Sequence, residues 1–166
     1  MPRFEHIRHR PPTPLDRPRG LVLALAPMRS GVNLSRIVRL AGCAGIRTVY
    51  KVGPGKVDRE IARDAADAVE VIERRSLEPL LEQLRVQDFT LVGLEQTTGS
   101  SSLYEYRFPH RTALVVGSER EGLDDTALRL LDAVVEIPVY GQPASYNVAT
   151  ATTMAVYEYC RQYPAG

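Results

Sequence analysis

Ala113-Leu114-Val115-Val116-Gly117-Ser118-Glu119-Arg120-Glu121-Gly122-Leu123 is the stretch on which the fold turns. Four consecutive apolar residues read as a strand buried on both faces, and the two glycines punctuate a turn that delivers the chain into a helical pattern from Asp125. Strand, turn and helix make half of a βαβ unit. Glycine at a strand's carboxyl end lets backbone approach a ligand closely, and ligands of open α/β sheets bind at that edge. Glu119 would then point into a crevice. The same residues also fit an ordinary βα turn.

Outward from this stretch the pattern repeats. Strands are expected at Leu21–Leu25, Thr48–Val52, Val69–Ile72, Phe89–Leu94, Ala113–Val116 and Val134–Val139. Helices are expected at Leu34–Ala44, Arg59–Ala68, Leu77–Val86, Asp125–Leu131 and Tyr146–Gln162. Strands alternating with helices on short connections define an α/β fold, a parallel sheet flanked by helices. The polar stretch from Gln96 to Arg111 is the exception, a loop long enough to read as functional or mobile.

A chain of 166 residues has room for one domain with a real core. That domain is expected at 20–166. Residues 1–19 hold five prolines and five arginines and read as a basic extended arm. The net charge of +1 hides an asymmetry: residues 1–57 carry 11 Lys/Arg against 2 acids, residues 58–166 carry 10 against 18. Cys43 and Cys160 stand far apart, without zinc or disulfide spacing, and read as small buried residues of a reducing compartment. No apolar run is long enough to span a bilayer and no hydrophobic signal core opens the chain, so a cytoplasmic location is expected.

Several chemistries lack their motifs. Gly-x-Gly-x-x-Gly is missing after the first strand, Val52-Gly53-Pro54-Gly55-Lys56 lacks P-loop spacing, and neither Gly-x-Ser-x-Gly nor His-Glu-x-x-His occurs. A nucleotide-dependent metabolic enzyme, a triad hydrolase and a metal enzyme are disfavoured accordingly, and no metal ligand is assigned.

Two further segments matter. Asn33 is placed to cap a helix that Gly45 ends in a left-handed conformation. Within it Leu34, Ile37, Val38 and Ala41 form a buried face, and Arg36 and Arg39 share the opposite face. Taken alone, that arginine pair reads as a solvated face before it reads as an anion site. Near the C-terminus, Pro138 removes a backbone donor from the strand that ends there, and Ser145 or Asn147 could cap the last helix. Small and β-branched residues from Ala149 to Ala155 permit close packing against that helix.

Taken together, Asn33 with Arg39, the Gly117–Leu123 stretch, and Ile137-Pro138 followed by Ser145-Tyr146-Asn147-Val148 resemble the three ordered motifs of the SpoU/TrmH family of RNA ribose 2′-O-methyltransferases, in the SPOUT superfamily. The resemblance spans residues 20–162. Gly93-Leu94-Glu95-Gln96-Thr97 also resembles a strand end of the eukaryotic-type branch that acts on guanosine in the tRNA D-loop. Departures are Tyr146 for the usual leucine, Ala149 for a frequent serine, and Ala65-Ala66-Asp67-Ala68 for Ser-x-Gly-Ala; they bear on substrate identity and local packing.

The resemblance implies a C-terminal deep trefoil knot, a homodimer packed through the C-terminal helices, and S-adenosylmethionine held at Leu94, Glu95, Gly117, Ile137, Ser145 and Tyr146, chiefly by backbone. It implies methyl transfer to a ribose 2′-hydroxyl, with Arg39, Asn33, Glu119, Ser145 and Asn147 in the catalytic site. Glu119 would orient Arg39 or a backbone group of the cofactor loops. RNA is expected at Arg29, Arg36, Arg107 and Arg111 through salt-dependent contacts. The substrate expected is tRNA; rRNA, or a non-catalytic RNA-binding role on the same fold, is the alternative.

Overall fold

The computed structural model describes residues 3–7 and 10–166. Seven strands form one sheet in which every adjacent pair runs parallel: β1 (Leu21–Leu25), β2 (Thr48–Val52), β3 (Glu70–Arg74), β4 (Thr90–Leu94), β5 (Ser101–Ser102), β6 (Thr112–Val116) and β7 (Ala133–Glu136). Their order is β3-β2-β1-β6-β4-β7-β5. The helices are α1 (Gly31–Ala44), α2 (Arg59–Ala62), α3 (Ala65–Ala68), α4 (Leu77–Val86), α5 (Asp125–Leu130) and α6 (Val148–Gln162).

Side chains alternate across the strands and so feed two cores. Leu21, Leu23 and Leu25 of β1 with Leu114 and Val116 of β6 meet Leu34, Ile37 and Val38 of α1 and Ala155, Val156 and Tyr159 of α6. Ala24, Ala113 and Val115 face the other way, onto Leu80, Leu81 and Leu84 of α4 and Ala127 of α5. Each fully buried leucine contributes about 1.5–3 kcal/mol of transfer free energy. Every residue of β6 is buried, as a central parallel strand covered on both faces requires.

The expected elements are present with shifted ends and three substantive differences. The helix expected at 59–68 is two single turns, because Arg63 takes a non-helical conformation with a positive φ of 56°. That break lets Ala62 and Ala65 both bury beside α1, where a Cβ on Gly42 would stand 2.5 Å from the Ala65 methyl. The strand expected to run to Val139 stops at Glu136, and the last helix starts at Val148, not Tyr146. Within the stretch expected to be one long loop, Ser101 and Ser102 form β5 against β7, and Leu103 and Phe108 are buried. Gln162 of α6 ties that stretch down, accepting from Phe108 N at 2.9 Å and donating to Tyr106 O at 2.8 Å. Serine-rich polarity concealed the pairing, which rests on the β5–β7 backbone, a hydrogen bond from Ser100 Oγ to Glu136 Oε2 at 2.7 Å and the buried Leu103.

β7 follows β4 and β5 in sequence yet lies between them. Connection 95–100 therefore spans the carboxyl end of β7, where the chain leaves toward 137–147.

Residues 1, 2, 8 and 9 of the expected arm lie outside those described. Its last part is docked: Asp16 N donates to Ala165 O at 2.9 Å, Arg17 Nε to Gly166 O at 2.8 Å, and Arg19 to Tyr163 O at 2.7 Å and to Ala44 O. Neither cysteine is the small buried residue expected. Cys43 is exposed on α1 and Cys160 is half-buried, with desolvation pushing its thiol up. Among the described residues no helix is long and apolar enough to cross a membrane.

Candidate functional site: a cleft at the carboxyl edge of the sheet

The connections leaving β1, β4, β6 and β7 meet at one edge of the sheet. After β6 the chain folds back on itself, with Ser118 N donating to Gly122 O at 3.0 Å and Gly122 N to Ser118 O at 3.2 Å. The turn is so tight that a Cβ on Gly117 would fall on the Gly122 backbone, and Gly122 adopts φ +64°. Glu95 holds it from the β4 side. One carboxylate oxygen accepts from Leu123 N at 3.1 Å and the other from Gln96 N at 2.9 Å.

Glu119 leaves this turn toward α1. Its Oε1 accepts from Ser30 N at 2.9 Å and from Asn33 Nδ2 at 3.3 Å, and its Oε2 accepts from Arg29 N at 3.0 Å. Burial works to raise this carboxyl. The N–H donors of Ser30 and Arg29, then its own backbone and the Asn33 amide, outweigh burial and hold it below the usual carboxylate range. The sequence reading offered Arg39 or a backbone group of the cofactor loops as its partner; the structure shows instead the backbone of the loop after β1 and the Asn33 amide.

Asn33 is not the cap of α1. Ser30 is: its Oγ accepts from Asn33 N at 3.2 Å, and Gly45 ends the helix at φ 72° as expected. Asn33, one turn further in and buried, is free to bond sideways. Its Oδ1 accepts from Asn147 Nδ2 at 3.2 Å, and Asn147 Oδ1 caps α6 by accepting from Ala149 N at 3.0 Å and Thr150 N at 3.3 Å. A continuous polar relay thus joins the α6 N-terminus, α1 and the β6 turn.

Beside this relay lies a cleft of about 250 Å³ that opens to solvent. Leu94, Glu95, Gly117, Ile137, Ser145 and Tyr146, all assigned to the cofactor on sequence, line it. Glu119, assigned to the catalytic site, lines it too, and the sequence reading missed Gln96, Val116, Ser118, Arg120, Gly122, Glu136, Val139, Val148 and Ala151, which complete its wall. Gln96, Ser118, Arg120, Gly122 and Val148 fall within the motif stretches quoted from the sequence, whereas Val116, Glu136, Val139 and Ala151 are apolar or acidic residues whose approach to the cleft depends on strand order.

Arg39 is not part of the relay or the cleft wall. It stands exposed on α1 with Arg36, and among the described residues neither makes a hydrogen bond or ion pair with a side chain. Arg29 is exposed and lies 3.7 Å from Glu121. The other two expected RNA contacts are elsewhere. Arg111 precedes β6, at the opposite edge of the sheet, where it donates to Gln87 O at 2.7 Å and covers the Phe89 ring at 4.3 Å. Arg107 lies near Glu158, in the C-terminal half of α6, and helps hold that carboxyl low. Among the described residues no group of three His, Cys, Asp or Glu side chains could hold a metal ion.

Fold and site together define a parallel α/β protein with a cleft built by loops from four strands at the sheet's carboxyl edge, where ligands of such sheets bind. Residues 20–157 match the SpoU rRNA Methylase family, and the chain belongs to that family. The tRNA (guanosine(18)-2′-O)-methyltransferase of Escherichia coli K12 is 28% identical over 145 residues, 86% of this chain; the chain spans 63% of that relative's length. The A. aeolicus TrmH/SpoU tRNA modifying enzyme superposes with a TM-score of 0.84 at 25% identity, covering 90% of this chain and 78% of the other. The AdoMet-bound rRNA methyltransferase of Sinorhizobium meliloti superposes with a TM-score of 0.76 at 26% identity, over 85% and 56% of the two chains.

Proposed function

We propose that this chain is an S-adenosylmethionine-dependent methyltransferase acting on a ribose 2′-hydroxyl of RNA. The observation that carries the reading is the Asn147–Asn33–Glu119 relay, which brings three distant segments to one cleft in a member of this family. The cleft suits the cofactor on chemical grounds. Leu94, Val116, Ile137 and Val148 would offer apolar surface to an adenine, Glu95 and Glu136 would supply negative charge suited to a cationic cofactor, and the glycine turn exposes backbone. When bound, the cofactor supplies an electrophilic methyl group, which leaves the protein to position the acceptor and assist loss of its proton.

Arg39 is suited to bind an RNA phosphate and to stabilise charge growing on the ribose oxygen. A guanidinium stays protonated in proteins and does not accept the proton itself, so water or phosphate takes it. Glu119 and Asn33 act as positioning residues, since they hold the 29–30 loop and the α1 N-terminus against the β6 turn. Ser145, exposed at the cleft wall, is placed to bond the ribose or the cofactor, and Asn147 sets where α6 begins. Arg29 and Arg36 extend the basic face of Arg39 toward RNA.

tRNA is the favoured substrate, supported by the E. coli and A. aeolicus relatives; the S. meliloti relative supports rRNA as the second reading. We further infer that connection 95–100 and segment 137–147 interlace as a deep trefoil knot, a reading supported by the position of β7 between β4 and β5. A homodimer through α6, supported by its exposed Tyr157, and a cytoplasmic location complete the proposal.

Transfer of labelled methyl from S-adenosylmethionine to bulk tRNA and to rRNA, with the product mapped to the 2′-oxygen, tests the activity. Arg39→Ala is expected to abolish transfer while calorimetric affinity for the cofactor stays near wild type. Cofactor binding without transfer to either RNA in the wild type would establish a non-catalytic role instead.

A further inference from the structure

Three of the eight tyrosines are exposed in and beside the segments that border the cleft: Tyr140 is 83% exposed, Tyr104 70% and Tyr146 42%. They come from two segments. β5 pairs with β7 through Ser102 and Glu136, and Leu103 N donates to Glu136 O at 2.8 Å, which sets Tyr104 beside the chain leaving β7. That chain carries Tyr140 and Tyr146. Tyr140 lines a shallow second cavity that shares Gln96, Glu136, Ile137 and Val139 with the cleft, and Tyr146 lines the cleft itself, so these two rings border one continuous surface. Tyr104 stands close enough to Tyr140 that its hydroxyl, with some desolvation and a further push from Tyr146, raises the Tyr140 phenol above its usual range.

We propose that Tyr104, Tyr140 and Tyr146 form a stacking platform for an unpaired nucleobase of the RNA substrate, beside the ribose presented to the cleft. The inference deepens the RNA methyltransferase reading above and rests on it. Sequence-tolerant recognition of unpaired RNA uses aromatic faces, because every base has a π-face and a tyrosine ring is fixed by only two torsions. The charges beside the platform choose the part of the nucleotide. Glu105 is exposed next to Tyr104, and Glu136 borders both cavities, so a phosphate would be repelled where an uncharged base is not. Exposed cations available for phosphate stand on α1, at Arg36 and Arg39, and on the β6 turn at Arg120, which lines the cleft but not the cavity that Tyr140 borders. A base on the tyrosines and a phosphate at α1 divide one strand of RNA between two chemically matched surfaces.

The chain contains no tryptophan, so Tyr140→Trp installs a single reporter at the platform. Its emission is expected to be quenched saturably by unfractionated tRNA and left unchanged by a blunt RNA duplex, whose bases are already stacked. The Tyr104→Ala/Tyr140→Ala pair is expected to raise the KM for tRNA roughly tenfold or more, with calorimetric affinity for S-adenosylmethionine unchanged and Tyr104→Phe/Tyr140→Phe near wild type. A wild-type KM in the alanine pair, or equal quenching by duplex, overturns the platform. Emission that shifts to the blue with protein concentration and without RNA overturns it too, since the occupant would then be a second copy of the chain. Quenching by tRNA in a protein that transfers no methyl would support the platform and sink the activity.

Discussion

Asn147 donates from Nδ2 to Asn33 Oδ1 at 3.2 Å across 114 residues of sequence, and Asn33 in turn donates to Glu119. A helix cap, a buried amide and a carboxylate that grips two backbone N–H groups therefore behave as one unit. Only Asn33 of the three is buried, so it is the member whose lost partners cost most.

Asn33→Ala removes the middle of the relay. It is expected to cost about 1–2 kcal/mol, read by thermal or denaturant unfolding. Asn33→Asp places a second carboxylate against Glu119 and is expected to cost more at pH 7. Its excess over Asn33→Ala should shrink as pH falls below about 4 and the carboxyls protonate.

Glu119 makes the acid side of the stability profile steep. Its carboxyl is held below its ordinary 4.5 in the folded chain, so its contribution is complete above the unfolded value and is lost as pH falls through the lower folded one. Glu119→Gln is expected to cost about 1–3 kcal/mol at pH 7, because a neutral amide replaces a charged acceptor of two N–H groups. It should also flatten the dependence of stability on pH below about 4.5, measured by urea unfolding at a series of pH values.

Tyr159 governs the alkaline side. It is fully buried and donates to His110 O at 2.6 Å, and burial is the main cause of its pKa being pushed from 10.0 up to about 12. The protonated phenol is the stabilising form. Its contribution is intact below the unfolded value of 10.0 and disappears as pH rises through about 12. Tyr159→Phe, which leaves a carbonyl unpaired, is expected to lose about 1 kcal/mol at neutral pH and to unfold less steeply in base.

Gly117 tests the cleft without touching a charged group. A methyl there would fall on the Gly122 backbone, so Gly117→Ala forces the turn open. The expected outcome is at least a tenfold loss of S-adenosylmethionine affinity by calorimetry, about 1.4 kcal/mol, with the far-ultraviolet circular dichroism of the sheet retained.

Much of this architecture could be read from the order of residues. Buried runs such as Ala113–Val116, the apolar spacing of α1 and the glycines at 45, 117 and 122 are local signals, produced by hydrogen-bond periodicity and steric freedom over a few residues. They determine that the chain is a parallel α/β domain with a ligand edge, and the three motifs place Asn33, Glu119 and Asn147 at that edge. Tertiary structure decided what those residues do there. Asn33 became a link between loops because Ser30 already capped the helix, and β5 became a strand only because β7 offered it a backbone edge. Arg111 was left at the far side of the sheet because it enters β6 while Glu119 leaves it, and the cleft wall and the tyrosine surface arose because β7 inserts between β4 and β5. Such relations depend on which strands become neighbours, a matter of packing summed over the whole chain, and no window of a few residues contains it.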